Sequence, residues 1–205
     1  LGDFMLAYKK DFGLHQLNVL GLAEAQKMIT RGFYTTATNF STDRFGYDNL
    51  QAGAVRLWEG TGSYYEAPHL ASFLGRVNYI YDGKYIATVN ARADASSKVG
   101  ANNKWGFFPG VSAGWNMHRE NFYKPLEAIV SRWKWRASWG RTGNNNLSVA
   151  NSRGEYKITD TNYQGSVGIL NTTLKNSQLR WETTESYDIG VDLGFFNNRL
   201  GLLID

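Results

Sequence analysis

The sequence predicts an all-β protein: an antiparallel transmembrane β-barrel, of which this chain supplies about eight strands with long loops at one end. Three features lead to this. Apolar and polar residues alternate with a period of two over most of the chain. The alternating stretches run about ten residues, against the ~5–6 usual in soluble sheets. The connections between them alternate between short and long, as they do in barrels whose two rims face different compartments.

Taken in chain order, residues 2–10 and 15–26 alternate weakly around a short connection at Asp11-Phe12-Gly13, and Leu20 and Leu22 interrupt the polar face of the second stretch. A long connection, 32–67, follows. Residues 72–81 set Phe73, Val77, Tyr79 and Tyr81 against Arg76 and Asn78. After the turn signal Asp82-Gly83, residues 84–94 set Tyr85, Ala87, Val89 and Ala91 against Thr88, Asn90, Arg92 and Asp94. A medium connection, 95–103, leads to 105–117, where Trp105, Phe107, Val111, Ala113 and Trp115 share one parity. The intermediate connection 118–131 is expected to hold a short helix over 121–129. Residues 132–140 alternate most sharply: Trp133, Trp135, Ala137 and Trp139 lie on one face, and Arg132, Lys134, Arg136 and Ser138 on the other. After the second long connection, 143–180, Tyr187, Ile189, Val191 and Leu193 oppose Asp188 and Asp192. Phe196-Asn197-Asn198 then turns the chain into a last strand over 199–205.

Composition narrows the function classes. Net charge is +4, but Lys and Arg are scattered through the alternation, which argues against a continuous nucleic-acid patch. The absence of cysteine removes thiolate metal sites, thiol catalysis and disulfides. No apolar run nears the roughly 20 residues of a membrane helix, which leaves barrel strands untouched as a way across.

Alternation alone permits a soluble β-sandwich, which buries the same apolar face against a second sheet. Strand length, the polar face of Gly, Ser, Asn and Arg, and aromatics near strand ends favour lipid. Trp105 and Trp115 stand ten residues apart, which at ~3.3 Å per residue and a ~45° tilt spans roughly 23 Å, near the height of a barrel's apolar band. Tyr79, Tyr81, Trp105, Trp115, Trp133 and Trp135 are therefore candidate lipid-interface residues. Arg76, Arg92, Asp94, Arg132, Arg136, Asp188 and Asp192 are candidate lumen-facing residues. They form either a polar track for a solute or a seat for a domain inside the barrel or, as the simpler expectation, mutual salt bridges that keep the interior wet. Trp58, Tyr64 and Tyr65, in the first long connection, are candidates for stacking on a sugar or packing against a lid. By barrel convention the long connections 32–67 and 143–180 face outside and Asp82-Gly83 faces the periplasm.

No catalytic constellation is visible. His15, His69 and His118 have no ligand spacing, so no metal or cofactor is expected. Gly60-Thr61-Gly62 lacks the rest of a phosphate loop, and Glu182 and Glu185 lie on opposite faces of one strand. The chain is expected not to be an enzyme.

Several segments in order resemble the SusC/RagA family of TonB-linked outer-membrane proteins. They are Gly75-Arg76-Val77-Asn78-Tyr79-Ile80-Tyr81, Lys84-Tyr85, Arg92-Ala93-Asp94-Ala95-Ser96-Ser97, Asn103-Lys104-Trp105-Gly106-Phe107-Phe108-Pro109 and Ser112-Ala113-Gly114-Trp115. Arg136-Ala137-Ser138-Trp139-Gly140-Arg141-Thr142-Gly143-Asn144, Leu179-Arg180-Trp181-Glu182-Thr183-Thr184 and Asp188-Ile189-Gly190-Val191-Asp192 continue the series, with Asn198-Arg199-Leu200 at its close. Val99, Gly110 and Trp139 depart from the family's usual Phe, Ser and Tyr. The resemblance implies a barrel of roughly 22 strands filled by an N-terminal plug. It implies import of glycans or peptides with a SusD-like surface lipoprotein, driven by the TonB complex and carried out in the bacterial outer membrane. Residues 1–205 are then expected to be an internal part of the barrel domain, with plug and C-terminal strands outside it. Two other functions are expected only if this fails: a secreted carbohydrate-binding sandwich, or an outer-membrane adhesin or enzyme barrel.

Overall fold

A computed structural model describes residues 1–44, 46–163 and 166–205. The chain divides into two units, Leu1–Gln26 with His69–Asp205, and Lys27–Pro68. In the first unit an eight-stranded antiparallel sheet is built from β1 (Gly2–Phe12), β2 (His15–Lys27), β5 (His69–Tyr81), β6 (Tyr85–Ser96), β7 (Trp105–Asn116), β8 (Val130–Asn144), β11 (Glu182–Phe195) and β12 (Leu200–Ile204), in that spatial order. Each strand pairs with its neighbours in chain order except where a long connection intervenes. All the short turns therefore emerge at one end of the sheet, and the 97–104 and 145–181 connections at the other.

Strand pairing runs further than the alternation suggested. Asp11↔Gln16 and Phe12↔His15 stay in register, so the first turn is Gly13-Leu14 rather than residues 11–13. Gly13 makes it possible by taking φ +60°. Lys84 belongs to the second turn, where Asp82 and Gly83 have φ of 51° and 61° and Lys84 N–H donates to Tyr81 O. The last turn is longer, 196–199, with Phe196, Asn197 and Asn198 all left-handed at φ 52°, 57° and 61°. Asn tolerates that region; Phe does so at a steric cost.

The helix expected over 121–129 is instead a pair of 3-10 segments, Met117–Arg119 and Asn121–Leu126. Tyr123 N–H donates to Glu120 O and Glu127 N–H to Lys124 O, each spanning three residues. Pro125 has no N–H to extend an α-helical ladder, and the segment is too short to nucleate one.

The two long connections, expected as loops, carry hairpins of their own. The second unit is β3 (Thr30–Phe40) paired with β4 (Gly53–Glu66), joined through a 3-10 turn at Gly46–Ala52. The 145–181 connection contains a short helix, α1 (Val149–Arg153), and the hairpin β9 (Glu155–Tyr163) with β10 (Ser166–Thr173).

Register places like with like across the sheet. Tyr85↔Trp115↔Trp135, Ala87↔Ala113↔Ala137 and Val89↔Val111↔Trp139 run in rows on one face. Asn90↔Gly110↔Gly140 and Thr88↔Ser112↔Ser138 run on the other. The apolar face is open: Phe73, Val89, Val111 and Ile189 are all substantially exposed, Ile189 to 72%.

Candidate functional site

The seven charged candidates, Arg76, Arg92, Asp94, Arg132, Arg136, Asp188 and Asp192, all occupy the polar face, and six of them form two clusters. In the first, Arg92 and Asp94 are two residues apart on β6, so a strand's period puts both side chains on one side. Arg92 Nε donates to both Asp94 carboxylate oxygens at 2.8 Å, and Nη2 donates to Ser72 Oγ at 3.1 Å. Ser72 stands directly opposite Asp94 on β5 and is wholly buried. In the second, Arg136 donates to Asp192 through Nε at 3.1 Å, to Asp188 through Nη1 at 3.2 Å, and also to Asp205. Gly190 faces Arg136 across the strand pair, and a Cβ there would come within 2.8 Å of the guanidinium carbon. The missing side chain thus lets Arg136 lie across β11 between its two aspartates. Arg132 reaches Asp192 at 4.0 Å. Arg76 lies opposite Asn90 on the same face, at some distance from both clusters in register.

A pocket of about 410 Å³ opens at the long-connection end of this face, lined by Leu70, Leu74, Arg92, Asp94, Phe108 and Trp181 among others. Its wall is Phe108, nearly buried, with the Trp181 ring edge-on at 5.4 Å. The Phe108 ring lies over Gly106 and Gly143, where any Cβ would collide with it. Trp181 Nε1–H donates to Lys104 O at 3.0 Å, Gly100 N–H to Leu179 O at 2.9 Å and Asn103 Nδ2 to Gln178 O at 3.2 Å. The 97–104 connection thereby grips the returning leg of the 145–181 connection. Alternation revealed neither Phe108 nor Trp181 as a pair, because they are brought together across the sheet by that grip.

The six aromatic candidates all lie on the apolar face, near its two ends. Trp105 stacks on Phe73 at the long-connection end, with centroids 6.0 Å apart. Tyr79, Tyr81, Trp115, Trp133 and Trp135 gather at the short-turn end. His15 Nδ1 shares a 2.6 Å hydrogen bond with Tyr79 Oη, and its ring lies against Phe12 and Tyr81. Between the two groups the rows on β6 and β7 are mostly Ala, Val and Pro, and toward β8 and β11 they include Trp139, Tyr187 and Ile189.

A polar centre at the short-turn end escaped the sequence. Glu120 Oε1 accepts from Tyr85 Oη at 2.7 Å and from Trp115 Nε1 at 3.2 Å, while Lys84 Nζ lies 3.7 Å from Oε2 and 2.7 Å from Asp82. Donation from Tyr85 and Trp115, and then the Lys84 charge, hold the Glu120 carboxyl below its ordinary value. Lys84 is raised, chiefly by its hydrogen bond to Asp82. Nothing in 117–129 alternates, so no pattern pointed to Glu120.

Tyr64 and Tyr65 are exposed on β4. Tyr64 lies over Gly32 across the hairpin, and Arg31 sits 5.1 Å from the Tyr65 ring centroid. The Trp58 side chain is outside the described residues. Glu182 accepts from Asn144 and Glu185 pairs with Arg141, each on its own face. His15 and His69 lie on β2 and β5 and His118 in the 3-10 segment after β7, and among the described residues no group of three His, Cys, Asp or Glu side chains could hold a metal ion.

A sheet with one ion-paired face and one open apolar face bounded by aromatics is the wall of a β-barrel. The chain belongs to the TonB dependent receptor-like, beta-barrel family, whose model matches residues 3–205. TonB-dependent receptor P3 of Formosa agariphila is 41% identical over 209 residues, covering 100% of this chain and 20% of that protein. TonB-dependent receptor SusC of Bacteroides thetaiotaomicron is 32% identical over 210 residues, covering 97% of this chain and 20% of that protein. The chain thus spans about a fifth of the length of the curated relatives it matches. The solved structure of the RagAB peptide transporter shares the fold, with a TM-score of 0.79 at 23% identity over 97% of this chain and 22% of that one.

Proposed function

We propose that the chain is a sector of the wall of an outer-membrane importer of oligosaccharides or peptides. Its polar face lines the lumen and its apolar face meets lipid. The hairpin-bearing connections 32–67 and 145–181 extend outside the cell, and the short turns face the periplasm. In this reading a SusD-like surface lipoprotein covers the outer mouth. A plug and a TonB-contacting segment, both beyond this chain, couple passage to the inner membrane. The wall itself carries out no covalent chemistry.

The observation that supports this best is the division of labour between the faces. Every charged group in the Arg92 and Arg136 clusters finds its counter-charge on the polar face, leaving a hydrated lining that needs no lipid-side compensation. The apolar face has no such closure and leaves Phe73, Val89 and Ile189 exposed, as a lipid-facing surface does and a sandwich core does not. The pocket walled by Phe108 and Trp181 lies at the outer end of the lumen in this arrangement, with an aromatic wall beside an Arg–Asp pair. That mixture suits a sugar ring or a peptide side chain.

The decisive experiment is deletion of the whole receptor in its own organism. Cells should lose growth on one class of oligosaccharide or peptide as sole nutrient while keeping growth on the corresponding monomers. Uptake of the labelled solute should stop when the proton-motive force is collapsed. Unchanged uptake of every oligosaccharide and peptide offered would overturn the proposal.

A further inference from the structure

The connection between β7 and β8 does not hang free below the sheet. It folds back over the apolar face. Two of its residues prove the direction. Glu120 is hydrogen-bonded by Tyr85 and Trp115, which face each other across β6 and β7 on the apolar side. Tyr123, wholly buried, meets the Trp133 ring edge-on at 6.2 Å and 89°, and Trp133 has the same parity. Tyr123 Oη donates to Val130 O at 2.9 Å, which fixes the segment to the start of β8. His118 Nδ1 lies 3.1 Å from Trp133 O. The large apolar residues that do not pack inward are Phe122, Leu126 and Ile129, exposed to 62%, 47% and 59%, with Asn121, Lys124 and Glu127 exposed among them. Exposed Phe196 joins them, since its N–H donates to Ile129 O.

We infer that residues 117–129 form an interfacial collar. In it Phe122, Leu126 and Ile129 are immersed in the periplasmic leaflet of the membrane while Lys124, exposed between them, stands at headgroup level. The occupant is a phospholipid surface, and the inference rests on the lipid-facing assignment of the apolar face proposed above. Continuity argues for lipid. The collar lies against the same aromatic row, Tyr85, Trp115 and Trp135, that ends the apolar span, and amphipathic rings at that depth mark the boundary between hydrocarbon and headgroups. A short amphipathic segment with large apolar residues on one side and a lysine beside them is built to lie in that plane. Pairing between Glu120 and its donors keeps the carboxylate on the inward side, away from the leaflet.

The test is site-directed spin labelling of the whole receptor, on a cysteine-free background, reconstituted in phospholipid vesicles. Single labels go at Phe122→Cys, Leu126→Cys, Ile129→Cys and Lys124→Cys, all exposed positions, with Val111→Cys as the mid-strand reference. Collision rates with oxygen, which concentrates in lipid, are compared with those of a water-soluble nickel chelate. The expected result is an oxygen-dominated ratio at 122, 126 and 129, intermediate between Val111 and water, with the ratio reversed at 124. Nickel-dominated ratios at 122, 126 and 129 with oxygen dominant at 111 would overturn the collar and leave the barrel wall standing. So would low collision rates with both reagents, which would mean that protein rather than lipid covers the segment. Nickel dominance at Val111 itself would overturn the lipid-facing assignment and the collar with it.

Discussion

On the polar face of the sheet, Arg92 and Arg136 reach across strands and gather Asp94, Ser72, Asp188, Asp192 and Asp205 around them. On the apolar face, rows that begin in Ala and Val and run into Trp139 and Tyr187 lie open between the aromatics of the two ends. The clusters on the first surface are satisfied by their own partners. The second acquires favourable energy only from a medium that is itself apolar. Stability of the sheet therefore depends on the environment through one face and on specific pairs through the other, and substitutions should separate the two.

The largest expected effect is at the middle of the apolar face. Ala137, in the row Ala87–Ala113–Ala137, is the deepest position on β8 between its tryptophans. Ala137→Arg should destabilise the whole receptor in lipid vesicles by about 2–4 kcal/mol, the usual cost of an arginine at the bilayer midplane. Ser138→Leu, one residue on and on the polar face, should cost well under half of that. Denaturant titration followed by heat-modifiable gel mobility measures both. Equal effects, or the reverse order, would break the assignment of faces.

A smaller effect is expected within the Arg92 cluster. Asp94→Ala removes the carboxylate that takes both Arg92 Nε bonds. Because the Arg92 side chain is 37% exposed, it can turn toward water, so the loss should fall near the low end for charged hydrogen bonds, about 1.5 kcal/mol. A Ser72→Ala, Asp94→Ala double-mutant cycle in the same titration should show coupling, since both groups hold one guanidinium.

Smaller again is Tyr123→Phe. It keeps the ring against Trp133 and removes only the hydroxyl that donates to Val130 O. Loss of one buried neutral hydrogen bond should cost about 1 kcal/mol. Faster proteolytic nicking within 117–129 at unchanged barrel mobility is the measurement, and equal nicking would mean the hydroxyl contributes nothing to holding the segment.

How much of this could be read in advance follows the same division. The eight sheet strands were legible because a strand with one polar and one apolar face must alternate, and Trp133-Lys134-Trp135-Arg136-Ala137 does so without exception. That Arg92 and Asp94 share a face was legible from a spacing of two, though not that they pair. The partners of Arg136 were not, because Asp188 and Asp192 lie 52 and 56 residues away and only the β8–β11 register joins them. The β3–β4 hairpin was missed for a different reason. Its strands pair Phe33 with Ser63, Tyr34 with Gly62 and Thr36 with Leu57, with a register shift between Tyr34 and Thr36, and a hairpin with no face to hide need not alternate. The turn ends drifted by one or two residues: left-handed Gly13 lets pairing continue to Phe12↔His15, whereas the left-handed residues at Asp82-Gly83 and Phe196–Asn198 widen the other two turns to include Lys84 and Arg199.

Glu120 supplies the mildest test and the one most specific to the rim. Its carboxyl is held below the ordinary value by donation from Tyr85 and Trp115 and by Lys84, so the folded pKa lies below the unfolded one. A group shifted in that direction stabilises the fold fully above its unfolded pKa of about 4.5, and the contribution fades as pH falls through the lower folded value. The segment 117–129 should therefore stay docked at neutral pH and through pH 5. It should loosen only below the usual carboxylate range, where protonation ends its attraction for Lys84 and weakens its hold on the two donors. A spin label at Phe122 should report this as increased mobility in acid, and Glu120→Gln, which keeps an acceptor oxygen but no charge, should be as mobile at pH 7 as the wild type is in acid and show little further change on acidification. Acid loosening of equal size in Glu120→Gln would assign the effect to another group, and the contrast between a self-satisfied polar face and a dependent apolar one would then end before the rim.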